Sequence, residues 1–157
     1  MRGDVFSKPR TTKQQIRKHY SQMSKIEKDY LLKSLKKLPL NKTKISTHLI
    51  KKLNFQVNKD ILIYSIENCG LENIIEYNER MFEGWTDKRV LIRSNEDYEV
   101  QIINKKTEIV NTEKCNICLV VSLIENKIVT AYWNLSSDNH LNVNMNKYNK
   151  DLKIIKY

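Results

Sequence analysis

A chain of 157 residues with 40% hydrophobic and 29% charged residues is long enough to bury a core without staples and has the balance of a soluble protein. Its longest apolar run, Ile117 to Ile124, has the length of a strand, which excludes a membrane-spanning helix, and three scattered cysteines exclude a disulfide framework. The formal charge of +10 is uneven: residues 1–52 hold 15 of the 28 Lys and Arg and 3 of the 18 Asp and Glu, leaving the remainder at −2.

In chain order, residues 1–11 are polar and basic and read as an arm. Thr12 is expected to cap a first helix carrying Ile16, Tyr20 and Met23 at helical spacing. A second helix should follow Ser24. Ile26, Tyr30, Leu31, Leu35 and Leu38 form its apolar stripe, Lys25, Lys28, Lys33, Lys36 and Lys37 its far face, and Pro39 its end. A third helix is expected over Lys44 to Leu53, burying Ile45, Leu49, Ile50 and Leu53. A fourth begins at Asn58 and runs through Ile61, Leu62, Tyr64, Ser65 and Ile66, with Gly70 suited to a left-handed stop.

The hydrophobic period then shifts from 3.6 to 2. Strands are expected near 72–79, 89–93, 97–104, 115–124, 127–134 and 152–155, with Glu125-Asn126-Lys127 as a hairpin turn and an Asn-rich loop over 134–149. The fold class is therefore α+β, N-terminal helices followed by an antiparallel sheet meander. Residues 1–43 read as a basic helical extension and 44–157 as the α+β domain.

Such a basic front end points to a polyanion, because Lys and Arg that displace condensed counterions gain affinity whatever the sequence contacted. The candidate contacts are Arg17, Lys18, Lys25, Lys28, Lys33, Lys36, Lys37, Lys51 and Lys52. Nucleic acid, RNA ahead of DNA, or an acidic host protein would be the partner. The plain alternative is a solvated helix face. No apolar h-region follows Met1, so no secretory leader is expected. With the sparse cysteines this suggests a reducing, cytoplasmic setting.

Strand parity locates the candidate chemistry. Arg89 and Arg93 share a face with Leu91, while Thr130 and Tyr132 share one with Ile128. Adjacent strands would gather two guanidiniums, a hydroxyl and a phenol, a set able to bind a phosphodiester and stabilise its transition state. The plainer reading makes both arginines ion-pair partners of Glu76, Asp97 or Glu99. His48 lies at the edge of an apolar helix face, where it is either a general acid–base or a half-buried structural residue; His19 and His140 are weaker candidates. The odd spacing of Cys115 and Cys118 sends their thiols to opposite strand faces, so no metal is expected, and no motif calls for a cofactor. Trp85 and Tyr98 are candidates for base stacking, Trp133 for the core. Tyr20 and Tyr30 fit either role.

The order of these elements, with Ser46-Thr47-His48, Asn58-Lys59-Asp60, Arg89-Val90-Leu91-Ile92-Arg93, Leu119-Val120-Val121-Ser122-Leu123 and the strand Lys127 to Asn134, resembles phage-borne members of the barnase–EndoU–colicin–RelE superfamily of metal-independent ribonuclease folds. That resemblance covers residues 44–157. It implies His48 as acid or base, Arg89 or Arg93 as phosphate stabiliser, and Thr130 and Tyr132 as residues that orient substrate. Lys51 and Lys52 stand where the family often has an arginine, and no general-base carboxylate is assigned beyond Glu76. Two functions result: a small phage-type accessory protein that binds nucleic acid or an acidic host factor, or a metal-independent endoribonuclease.

Overall fold

The computed structural model describes residues 12–50, 58–138 and 152–156. The order is β1 (Thr12–His19), a 3-10 turn at Tyr20–Gln22, α1 (Lys25–Lys36), β2 (Lys44–Ile45), α2 (Thr47–Ile50), α3 (Lys59–Glu67), β3 (Ile74–Phe82), β4 (Trp85–Arg93), β5 (Tyr98–Asn104), β6 (Val110–Ser122), β7 (Lys127–Leu135) and β8 (Leu152–Lys156). The protein is mixed α and β, and mostly strand.

The eight strands among the described residues join one sheet. β1 pairs with β3, β3 with β4, β4 and β7 with β6, and β5 with both β6 and β8, all antiparallel; β2 adds a two-residue parallel pair beside β7. β4 and β5 run end to end along one edge of β6, opposite residues 118–122 and 110–115 respectively. Ser94 carries the ladder across the break. Its N–H donates to the Ile117 carbonyl at 2.8 Å, and its hydroxyl accepts the Ile117 N–H at 3.0 Å. Ser94→Ala leaves that buried N–H without its acceptor and is expected to cost about 1–3 kcal/mol in urea unfolding. A loss indistinguishable from zero would mean that the hydroxyl does not complete the ladder.

Local signals explain the two longer helices. Ser24 and Glu27 form a capping box at α1: the Ser24 hydroxyl accepts the Glu27 N–H at 3.1 Å, and the Ser24 N–H donates to Glu27 Oε1 at 2.9 Å. Asn58 Oδ1 accepts the Ile61 N–H at 3.0 Å and opens α3. The helices cover one face of the sheet. Leu31 and Leu35 of α1, Leu49 of α2 and Leu62 and Ile66 of α3 meet Val90, Ile92, Ile117, Leu119, Val121 and Ile128 in the main core. A smaller cluster of Ile75, Leu91 and Cys118 lies on the opposite face, with Tyr20, Val120 and Tyr132 packed around it.

Several expectations are corrected. Residues 12–19 form β1 instead of the expected helix, because backbone pairing with β3 outweighs a local pattern that contains only Ile16 as an apolar residue before Tyr20. The sheet thus includes a strand from the first 43 residues. The expected helix over 44–53 is broken: Lys44 and Ile45 pair with Lys127 and Ile128 before α2 begins. Ser46 makes that switch, its hydroxyl donating to the Val129 carbonyl at 2.5 Å and accepting the Leu49 N–H at 3.1 Å. Leu49 is buried as expected, but Ile50 is exposed. Gly70 is extended, at φ −118°, and its N–H donates to Asn73 Oδ1 at 2.7 Å. Among the described residues the left-handed turn positions are Gly84, Glu108 and Asn126, the last in the expected hairpin.

Candidate functional site

Register places most of the predicted catalytic set on the sheet face opposite α1 and α3. Across the strands run the rows Arg17–Asn78–Arg89–Ser122, Glu76–Leu91–Val120–Thr130 and Arg93–Cys118–Tyr132. Arg89, Arg93, Thr130 and Tyr132 therefore share one face. Arg93 and Tyr132 are two strand spacings apart, roughly 10 Å along the sheet. His48 stands elsewhere, exposed on α2 beyond the β7 edge, next to Leu49, which enters the core on the helix-covered side.

Charge on this face is largely balanced in place. Arg89 Nε lies 2.5 Å from Asp87 Oδ2, and both side chains are buried. Asp87 Oδ1 accepts the Ser122 hydroxyl at 3.1 Å. Arg17 grips Glu76 with two contacts, Nε to Oε2 at 2.8 Å and Nη2 to Oε1 at 3.3 Å. Arg93 is half-buried and donates to the Asp138 carbonyl at 3.5 Å. It also borders a polar cleft of about 390 Å³ with Asp97, Asn116 and Ser136. Sequence reasoning missed Asp87 and Ser122. The signal was parity: Asp87 is two residues before Arg89 in a strand that starts at Trp85, four residues earlier than expected.

The basic helix presents a different picture. Lys18 is paired with Glu27, and that hydrogen bond, followed by the Ser24 backbone N–H, holds the Glu27 carboxyl below its usual range. Lys28 sits over the Tyr20 ring at 5.8 Å. Lys36 Nζ reaches the C-terminal carbonyls of α3, 2.5 Å from Glu67 and 3.5 Å from Ile66, where the helix dipole favours a cation. Lys25, Lys33 and Lys37 are exposed and, among the described residues, enter no ion pair. Lys51, Lys52 and His140 lie outside the described residues.

The aromatic and sulfur candidates are placed as follows. Trp85 stacks on Phe82 at 4.6 Å beside the β3–β4 turn. Tyr98 meets Trp133 edge-on at 5.6 Å, and both pack with the main core. Tyr30 is exposed and Tyr20 half-buried. Cys115 lies in the main core and Cys118 in the smaller cluster, on opposite faces. Burial pushes the Cys69 thiol up to about 12 and the Cys115 thiol up to about 11, which suppresses the reactive thiolate. Among the described residues no three His, Cys, Asp or Glu side chains gather as a metal site, and no helix is long and apolar enough to cross a membrane.

No family model, curated protein or solved structure matches this chain.

Proposed function

We propose that the protein binds nucleic acid, RNA ahead of DNA, through the outer face of α1. The observation that carries this reading is the exposure of Lys25, Lys33 and Lys37 without carboxylate partners among the described residues, on a helix that belongs to the strongly basic first third of the chain. Cations of this kind release counterions from a phosphate backbone and need no particular sequence to do so. The preference for RNA comes from the resemblance in the sequence, as does the role of a small phage-type accessory protein, while a cytoplasmic setting is proposed from the sparse cysteines and the absence of an apolar h-region after Met1. Labelled RNA is expected to bind with an affinity that falls steeply as salt is raised. Tight binding that ignores salt would contradict this assignment.

A second reading has one observation in its favour: Arg93, Thr130 and Tyr132 face the same way across three neighbouring strands. A metal-independent endoribonuclease would use them with His48. Arg89 fits the role of phosphate stabiliser less well, because Asp87 already balances its charge. This reading expects RNA cleavage that persists in EDTA and disappears in Arg93→Ala and His48→Ala; cleavage undiminished in both variants removes those roles. Binding is the better supported function, since two of the proposed catalytic arginine and histidine positions are either neutralised or set apart from the sheet face.

A further inference from the structure

Ile26, Tyr30, Lys33 and Lys37 follow one another at i, i+4, i+7 and i+11, which lines them along a single ridge of α1 and its C-cap. The upper half of this ridge is apolar yet solvated: Ile26 is 81% exposed and Tyr30 56%. Both residues also form one wall of a cleft of about 390 Å³ between α1 and strands β3 and β4. The buried Met23 and Leu31 and the half-buried Tyr77 lie deeper in it. The volume is in the range of pockets that enclose small flat ligands.

The charges around the cleft are partly accounted for. Glu27 is engaged by Lys18. Glu79 accepts the Tyr77 hydroxyl at 2.6 Å and faces Lys88 across the strand pair. The mouth is therefore close to neutral, while Lys33 and Lys37, which enter no ion pair among the described residues, continue away from it along the helix. Among the described residues no aromatic ring packs on Tyr30, and more than half of its surface meets solvent. An apolar aromatic slot at the head of a cationic rail is the arrangement that single-stranded nucleic acid requires: bases stack on rings while lysines track the backbone. A duplex offers the same phosphates but no free base face.

We propose that this cleft receives one unstacked base of a single-stranded nucleic acid, with Tyr30 as the stacking platform and Lys33 and Lys37 holding the phosphates that follow it. The proposal rests on the nucleic-acid function of α1 and names the form of ligand that face selects. The test uses the full chain, an unstructured labelled RNA, a duplex containing the same strand, and polyglutamate as a competitor without bases. The wild-type protein should prefer the single strand. Tyr30→Ala should weaken single-strand binding about tenfold or more and leave duplex binding unchanged, whereas Tyr30→Phe should retain it. The exposure of Tyr30 makes misfolding of these variants avoidable, and an unchanged circular dichroism melt checks it. Equal loss on both forms, no loss on either, or competition by polyglutamate as strong as by RNA overturns the proposal. If Lys33→Ala and Lys37→Ala weaken both forms while Tyr30→Ala weakens neither, the cleft assignment fails and the function of α1 stands. If wild-type protein binds neither form, both fail together.

Discussion

Replacing Asp87 with alanine is expected to lower the unfolding free energy by about 3–5 kcal/mol, the usual cost of leaving one member of a buried ion pair uncompensated. Asp87 and Arg89 lie on one face of β4, with side chains 1% and 8% exposed. The substitution removes the anion at Arg89 Nε and also the acceptor of the Ser122 hydroxyl, which is itself fully buried. Urea unfolding of the full chain measures the loss. The double replacement Asp87→Leu with Arg89→Met is the informative partner, because it removes both charges and leaves apolar groups of similar reach. Its expected effect is smaller than that of the single variant, about 1–3 kcal/mol from the Ser122 hydroxyl that loses its acceptor, since well-packed apolar residues often replace a buried pair at little or no cost. A single variant that loses less than about 1 kcal/mol would place the pair among solvated surface ion pairs, whose contribution is of that size. The same pair bears on function. An arginine whose removal from its carboxylate is this costly is poorly suited to receive a phosphate, which is why Arg89 is read as architecture and Arg93 as the more accessible cation.

Much of the sheet was legible in the sequence. Strand parity placed Arg89 and Arg93 on one face and Thr130 and Tyr132 on one face, and register across β6 makes these the same face. Asn126 in its left-handed turn, the Asn58 cap and the Ser24 cap were all readable from residue type and position. The failures have a common cause in contacts distant along the chain. Nothing in Thr12 to His19 alternates as a half-buried strand should, because β1 lies at the end of the sheet and carries Ile16 as its one apolar side chain. Its partner is about sixty residues away, and so is Glu76, the carboxylate that engages Arg17. Lys36 looked like one more solvated lysine because its acceptors belong to α3. Helical spacing can identify which face of α1 is wet, but only tertiary structure separates the lysines that are already engaged from those that remain available.

That separation leads to the second large expected effect. Lys25→Ala, Lys33→Ala and Lys37→Ala combined should reduce RNA affinity about a hundredfold at 0.1 M salt, taking roughly 0.7 counterions released per neutralised phosphate on a single strand and 1 M salt as the point where this contribution vanishes. Lys28 and Lys36 are less clean probes, since the first lies over Tyr20 and the second caps α3, so their loss would mix stability with binding. The triple variant should keep its fold because all three side chains are exposed and enter no ion pair among the described residues. The decisive measurement is the slope of log affinity against log salt for the wild-type chain and this variant on the same unstructured RNA. The account predicts a steep wild-type slope that becomes shallower by about 2 in the variant. Identical slopes and affinities for the two proteins would contradict it, since Lys25, Lys33 and Lys37 would then touch no phosphate.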